Sequence, residues 1–143
     1  QSVESMIKGI ISPSDAYFKM QFSACELDPG DFSHEAHIRL AWINITEYGI
    51  EKAEEALQSQ LQRFVAFVGA KDKYNKTVTV AAAKAVYHFM CKSNAESFEG
   101  FIAEFPQLKD NFKGLLATHY SFDIFESADA KAEFLAPDLL PFD

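Results

Sequence analysis

Proline and glycine are rare in this chain, and they stand at the ends of segments that have helical periodicity. The 143 residues include five prolines and six glycines. Between Gly49 and Gly69, apolar residues fall at positions 53, 57, 61, 64 and 68, which is one face of an α-helix. The segment closest to strand periodicity, 76–80, runs directly into alanines. The pattern therefore predicts an all-α fold.

Capping residues divide the chain into seven predicted helices. These run over about 12–26, 33–48, 51–68, 75–92, 93–105, 107–119 and 128–135. Ser33 is the expected N-cap of the second helix, and Ser93-Asn94-Ala95-Glu96 has the form of a capping box for the fifth. The length suits one domain over 1–143, a bundle of about six to seven helices with an extended C-terminal tail from Pro137 to Phe142.

Composition and charge exclude several classes of partner. Hydrophobic residues make up 48% of the chain and charged residues 24%, as in a soluble domain, and no apolar run is long enough to span a membrane. The net charge of −8 opposes binding to nucleic acid or to an anionic membrane surface. The segment 71–113 departs from this balance, with seven basic and five acidic residues. Its densest basic run is Lys71-Asp72-Lys73-Tyr74-Asn75-Lys76, and a solvated loop is the usual explanation of such a run.

The two cysteines bear on the cellular compartment. Cys25 and Cys91 are too few and too far apart in sequence for a disulfide scaffold or a typical zinc site. We therefore expect two reduced thiols in a cytoplasmic protein. Because the chain begins with Gln1, the sequence leaves open a cleaved signal peptide.

Two predicted helices direct polar side chains inward at their N-terminal ends. On the 33–48 helix, His34 and His37 fall on an apolar face, whereas Arg39 lies on another side, four residues after Glu35 and suited to pair with it. On the 75–92 helix, Asn75 and Thr79 share the apolar face. They either satisfy each other and cap the helix, or line a pocket with the histidines.

Four segments resemble those of a family of small bacterial proteins that has no established activity. The first is Phe32-Ser33-His34-Glu35-Ala36-His37-Ile38-Arg39-Leu40-Ala41-Trp42, and the second is Lys73-Tyr74-Asn75-Lys76-Thr77-Val78-Thr79. The C-terminal elements are His119-Tyr120-Ser121 and Pro137-Asp138-Leu139. Where the family usually has His after the Tyr, this chain has Asn75. If members use three histidines as metal ligands, the resemblance implies weaker metal binding here.

These observations support three hypotheses about function. The first is a polar pocket that binds a small, anionic molecule. Its predicted lining is His34, His37, Tyr74, Asn75, Thr79, His119 and Tyr120. His119 and Tyr120 enter this set only through the resemblance. No catalytic motif is recognised, so catalytic residues stay unassigned, enzymatic activity stays open and no cofactor is expected.

The second hypothesis is a metal-binding helical-bundle enzyme, or its degenerate relative. It needs a third ligand near His34 and His37, with His119 the leading candidate and Glu26 or Asp31 the alternatives. The third is an association module. Eight phenylalanines lie between positions 98 and 142, where the predicted helices are short, and an exposed apolar surface there would suit a homodimer. The alternative is a monomer whose C-terminal tail covers that surface.

Overall fold

The prediction of an all-α fold is confirmed. The computed structural model describes residues 7–142, and this range contains eight α-helices and no β-strand. The helices are α1 (Pro13–Ser23), α2 (His34–Tyr48), α3 (Ile50–Phe67), α4 (Lys76–Met90), α5 (Phe98–Glu104), α6 (Gln107–Asp110), α7 (Phe112–Leu116) and α8 (Ala128–Ala132). Short 3₁₀ turns over Pro29–Asp31 and Lys71–Lys73 precede α2 and α4. Of the predicted single domain, residues 1–6 and 143 lie outside the described part.

The predicted order of the first four helices is confirmed. It could be predicted because the residues that cap these helices are close to them in sequence. Ser33 caps α2 by accepting a hydrogen bond from the Ala36 N–H at 3.2 Å. Asn75 caps α4 in the same way, accepting from the Val78 N–H at 2.9 Å. Gly49, with φ of 80°, separates α2 from α3 in a conformation that glycine adopts without strain.

The core is centred on α2, α3 and α4, which pack against one another more extensively than any other elements. Trp42, Phe22 and Phe101 are among its largest fully buried side chains. Both sides of α4 are buried: Thr79 lies on one side, and Thr77, on the opposite side, has no solvent-accessible surface. Among the described helices, none is both long and apolar enough to cross a membrane.

The C-terminal third departs from the predicted helices. Ser93 does not cap a helix: its hydroxyl donates to Glu104 and accepts from the Ala95 N–H, and α5 begins later, after Ser97. The helix predicted over 107–119 is broken at Asn111, whose backbone is non-helical (φ −145°, ψ 49°). Asparagine favours such breaks because its side chain competes for backbone hydrogen bonds. The last predicted helix ends at Ala132 rather than Leu135.

The phenylalanines of this third are mostly inside the protein. Phe98, Phe101 and Phe112 are buried, four others are half-buried, and Phe122 alone of the eight is exposed, at 41%. The tail lies on its own chain: the Leu139 N–H donates to the His119 carbonyl at 2.9 Å, and Phe142 stacks on the His119 ring. The expected Phe-rich surface is therefore absent from the described residues, which removes the main argument for an association module.

Candidate ligand-binding cleft

A cleft of about 340 Å³ opens where the start of α2, the end of α3 and the start of α4 meet. A C-terminal segment that includes Lys131 of α8 forms the remaining wall. The cleft is lined by Phe32, His37, Leu61, Val65, Lys73, Tyr74, Asn75, Val78, Thr79, Phe125 and Lys131. Four of the seven residues predicted for the pocket, namely His37, Tyr74, Asn75 and Thr79, are among them.

His37 places an unpartnered nitrogen in this cleft. Its Nε2 atom is buried and has no hydrogen-bond partner among the described residues. The imidazole lies 5.9 Å from the Phe32 ring, which in turn stacks on Phe22 at 4.8 Å. Burial, and to a smaller extent the neighbouring His34, lowers the pKa of His37 to about 4. The ring is therefore neutral near pH 7, and Nε2 donates or accepts according to the tautomer.

Tyr74 supplies a second unsatisfied group. Its hydroxyl is buried and lacks a partner with hydrogen-bonding geometry in the described residues. Burial raises the pKa of Tyr74, and the nearby Thr79 hydroxyl opposes this shift. The phenol therefore stays protonated at neutral pH and can both donate and accept a hydrogen bond. Two residues that line the cleft thus each carry a buried, neutral polar group without a hydrogen-bond partner.

Asn75 and Thr79 line the cleft but already have structural partners. The Asn75 side chain caps α4 through Oδ1 and donates from Nδ2 to the Ile124 carbonyl at 2.8 Å. The Thr79 hydroxyl donates to the Asn75 carbonyl at 2.8 Å. The structure therefore shows the first alternative for this pair, in which the two residues bond to each other and cap the helix. Asn75 ties the start of α4 to the C-terminal segment and shapes the cleft wall.

His34 does not share the cleft with His37. It is exposed at the first position of α2, where its Nε2–H donates to the Leu108 carbonyl at 2.8 Å and its ring packs 4.8 Å from Phe112. The expectation that both histidines enter the interior assumed that one apolar face continues to the helix end. Only from Ala36 onward is α2 regularly buried.

His119 and Tyr120 also lie outside the cleft, at the base of the tail. His119 donates from Nδ1 to the Leu140 carbonyl at 2.8 Å, and the Tyr120 hydroxyl donates to the Leu135 carbonyl at 2.7 Å. Burial, and then the Asp138 carboxylate, raises the pKa of Tyr120 to about 12. Both residues hold the C-terminal segment, and neither lines the cleft.

The structure brings no third ligand to the two histidines. Within residues 7–142, no three His, Cys, Asp or Glu side chains form a cluster that could hold a metal ion. The conditional metal ligands form no such cluster: His34 bonds to the Leu108 carbonyl, His37 lines the cleft, and His119 bonds to the Leu140 carbonyl. The metal hypothesis therefore has no ligand set in the described part of the chain.

Arg39 pairs with Asp15 of α1 rather than with Glu35. Glu35 instead contacts Lys109 at 2.8 Å, in an exposed ion pair. Helical spacing alone could not reveal these long-range partners, and both pairs lie outside the cleft lining.

Two lysines complete the cleft and were not assigned to it from sequence. Lys73 and Lys131 are exposed at its mouth, and neither forms an ion pair with another described residue. Lys73 belongs to the basic run that was interpreted as a solvated loop. Lys131 is the only basic residue between 114 and 143. A single basic residue in an acidic segment is the sequence feature that could have indicated a role for it.

A wider groove of about 840 Å³ lies between α3, α4 and the tail. Of the charged residues in its lining, Glu54 and Lys84 pair with each other at 3.2 Å. The described residues contain three buried side-chain polar atoms without partners, and none lines this groove: two face the 340 Å³ cleft, and the third, on Thr46, lies beside Gly9. Unsatisfied polar groups therefore distinguish the smaller cleft.

Comparison with known proteins adds no assignment: no family model, no curated protein and no solved structure matches this chain. The resemblance to the small bacterial family stays a prediction.

Proposed function

We propose that this protein binds a small anionic molecule in the cleft between α2, α3 and α4. One observation carries the proposal: His37 and Tyr74 line the same cleft, and the Nε2 atom of one and the hydroxyl of the other are buried without partners. An unsatisfied buried polar group costs about 1–3 kcal/mol. A ligand that hydrogen-bonds to both groups removes that cost, so the free protein is predisposed to bind one.

The electrostatics of the cleft favour a negative charge. Lys73 and Lys131 are the charged side chains of its lining, and no acidic side chain of the described residues joins them. The N-terminal end of α4 contributes Val78 and Thr79 and adds the positive pole of a 15-residue helix. This positive mouth differs from the rest of a chain with a net charge of −8, so anions are directed toward it.

A thermal-shift screen against small carboxylates, inorganic phosphate and divalent metal ions tests the proposal. A ligand that binds only the folded state raises stability by about 2.7 kcal/mol when its free concentration is 100 times Kd. We expect stabilisation by one or more of the anions. We expect the substitutions His37→Asn and Tyr74→Phe to reduce it, because each changes a group that awaits a partner.

Matched controls separate loss of binding from loss of stability. Tyr120→Phe removes the same hydroxyl from a tyrosine outside the cleft, and His119→Asn makes the same exchange at a histidine of the tail. Both controls should retain the ligand-induced shift, whatever their own melting temperatures. If the cleft variants respond to every stabilising anion as the wild type does, the ligand binds elsewhere and the proposal is wrong.

A further inference from the structure

The cleft lining has a buried part, called here the closed end, and a solvent-exposed part, called the open end, and the two differ chemically. At the closed end, His37 Nε2 and the Tyr74 hydroxyl are buried. At the open end, Lys73 and Lys131 are exposed to solvent. Apart from Asn75 and Thr79, whose side chains have partners within the protein, the rest of the lining is apolar, formed by Phe32, Leu61, Val65, Val78 and Phe125. A ligand that fills the cleft therefore meets neutral hydrogen-bonding groups at one end, hydrocarbon along its length and positive charge at the other end.

The closed end is unsuited to a charged group. His37 is neutral near pH 7 because burial holds its pKa at about 4, and the phenol of Tyr74 is neutral as well. A carboxylate buried between them would lose its hydration without gaining an opposite charge, which is costly in a protein interior. A neutral hydroxyl, carbonyl or amide would instead satisfy both groups.

The open end is suited to an anion. Lys73 and Lys131 have no ion-pair partner among the described residues, and their ammonium groups stay hydrated when the cleft is empty. An anion held there keeps part of its own hydration, so its desolvation cost is small. The gain per lysine is correspondingly modest and decreases with added salt.

Resting on the proposed function, we infer that the ligand class is a small organic anion with an apolar body and a neutral hydrogen-bonding group at the end opposite its charge. The charge lies between Lys73 and Lys131, the apolar body lies against Phe32 and Phe125, and the neutral group bonds to His37 and Tyr74.

Three sets of matched probes test this class on the full chain. The first set is 4-hydroxybenzoate, 4-hydroxyphenylacetate and 3-(4-hydroxyphenyl)propionate, which vary the distance between charge and hydroxyl. The second set lacks the hydroxyl, and the third replaces each carboxylate by its amide. Affinities are measured by isothermal titration calorimetry at low and at physiological salt.

We expect one hydroxy acid to bind more tightly than both of its analogues. Loss of the hydroxyl should weaken binding about tenfold, because a hydrogen bond to a buried group is lost. Replacing the carboxylate by the amide should weaken binding several-fold, and added salt should reduce the difference. An analogue that binds as tightly as its parent acid overturns the inference.

Substitutions assign each preference to its end of the cleft. Tyr74→Phe should abolish the preference for the hydroxylated acid and leave the preference of acid over amide. Lys73→Gln and Lys131→Gln should each reduce the preference of acid over amide about threefold. Lys52→Gln, at the opposite end of α3 from the cleft, is the charge-matched control and should change neither preference.

The outcomes distinguish the inference from the proposed function. If other anions from the screen bind and respond to Tyr74→Phe, but no hydroxy acid of the series does, the site stands and the ligand class is wrong. If His37→Asn and Tyr74→Phe change the effect of no stabilising compound, the proposed site is wrong, and the inferred ligand class is wrong as well.

Discussion

Arg39 donates hydrogen bonds from Nε and Nη2 to the same carboxylate oxygen of Asp15, at 3.0 and 2.9 Å. Asp15 is buried, and its other oxygen accepts from the Ser12 N–H in the capping box that begins α1. One carboxylate thus both starts a helix and joins it to α2. The Phe18 ring, 4.7 Å from the guanidinium carbon, covers the pair.

The substitution Asp15→Ala should therefore destabilise the protein strongly. It removes the capping box and leaves the Arg39 guanidinium, which is 24% exposed, without its buried partner. The expected loss is about 3 kcal/mol in the free energy of unfolding, measured by urea denaturation. Glu35→Ala, which breaks the exposed pair with Lys109, should cost less than about 1 kcal/mol. Equal losses would show that burial of the Asp15 pair contributes nothing.

The Thr77 hydroxyl holds the C-terminal segment against α4. It donates to the Glu133 carbonyl at 2.7 Å and accepts from the Leu135 N–H at 3.0 Å. Thr77→Val should cost about 1–3 kcal/mol of stability, since both backbone groups lose their partner. Thr77→Ser retains the hydroxyl and should cost less. The two variants compared by chemical denaturation isolate the hydroxyl, and a Val variant as stable as the Ser variant would contradict this role.

Stability should depend on pH through His37. Its folded-state pKa of about 4 lies below the unfolded value of 6.5, so between these pH values the unfolded chain binds more protons. Stability contributed by neutral His37 is complete above pH 6.5 and is lost as the pH falls toward 4, by up to about 3 kcal/mol. Urea midpoints measured across this range should decrease with falling pH.

The His37→Gln variant should flatten that dependence, because glutamine does not titrate. Tyr74→Phe changes the same cleft without removing a group that titrates between pH 4 and 6.5, so it should retain the wild-type slope. A His37→Gln chain with an unchanged slope would assign the pH dependence to other groups.

Gly9 lies against the indole of Trp42. A Cβ atom at this position would stand 2.7 Å from Trp42 Cζ2 and 3.0 Å from Thr46 Oγ1. Trp42 is fully buried, so its ring cannot move aside without disturbing the core. Gly9→Ala should therefore lower the free energy of unfolding by about 1–3 kcal/mol. Gly30→Ala meets only the Asp28 carboxylate at 3.4 Å, and its effect should stay within about 0.5 kcal/mol. Thermal melts of both variants check the difference.

Truncation after Ala136 should lower the melting temperature without changing the oligomeric state of the protein. It removes the Asp138 carboxylate, which accepts a hydrogen bond from the Ser121 N–H at 2.9 Å, and the Phe142 ring that covers His119. Light scattering and calorimetry on the intact and truncated chains give mass and stability together. A dimer that becomes a folded monomer on truncation would instead show that the tail docks on a second copy.

Much of the helical architecture follows from short-range signals. The caps of α2 and α4 and the Gly49 boundary involve residues within a few positions of one another, so helix order over 12–92 could be predicted closely. The same reasoning failed at Ser93, whose hydroxyl bonds to Glu104 eleven positions later. A capping motif is a local possibility, and a distant partner competes for the same hydroxyl.

The same difference between local signals and distant partners applies to the candidate site. The sequence alone determined the helical fold and that His37, Asn75 and Thr79 lie on inward faces, because helical periodicity sets the direction of each side chain. Only the tertiary structure decided that His34 bonds to Leu108, that Arg39 pairs with Asp15, and that Lys131 meets Lys73 at one cleft. The residues of each of these pairs are 24 to 74 positions apart in sequence. Their physical origin is the packing of the helices against one another, which no local pattern encodes.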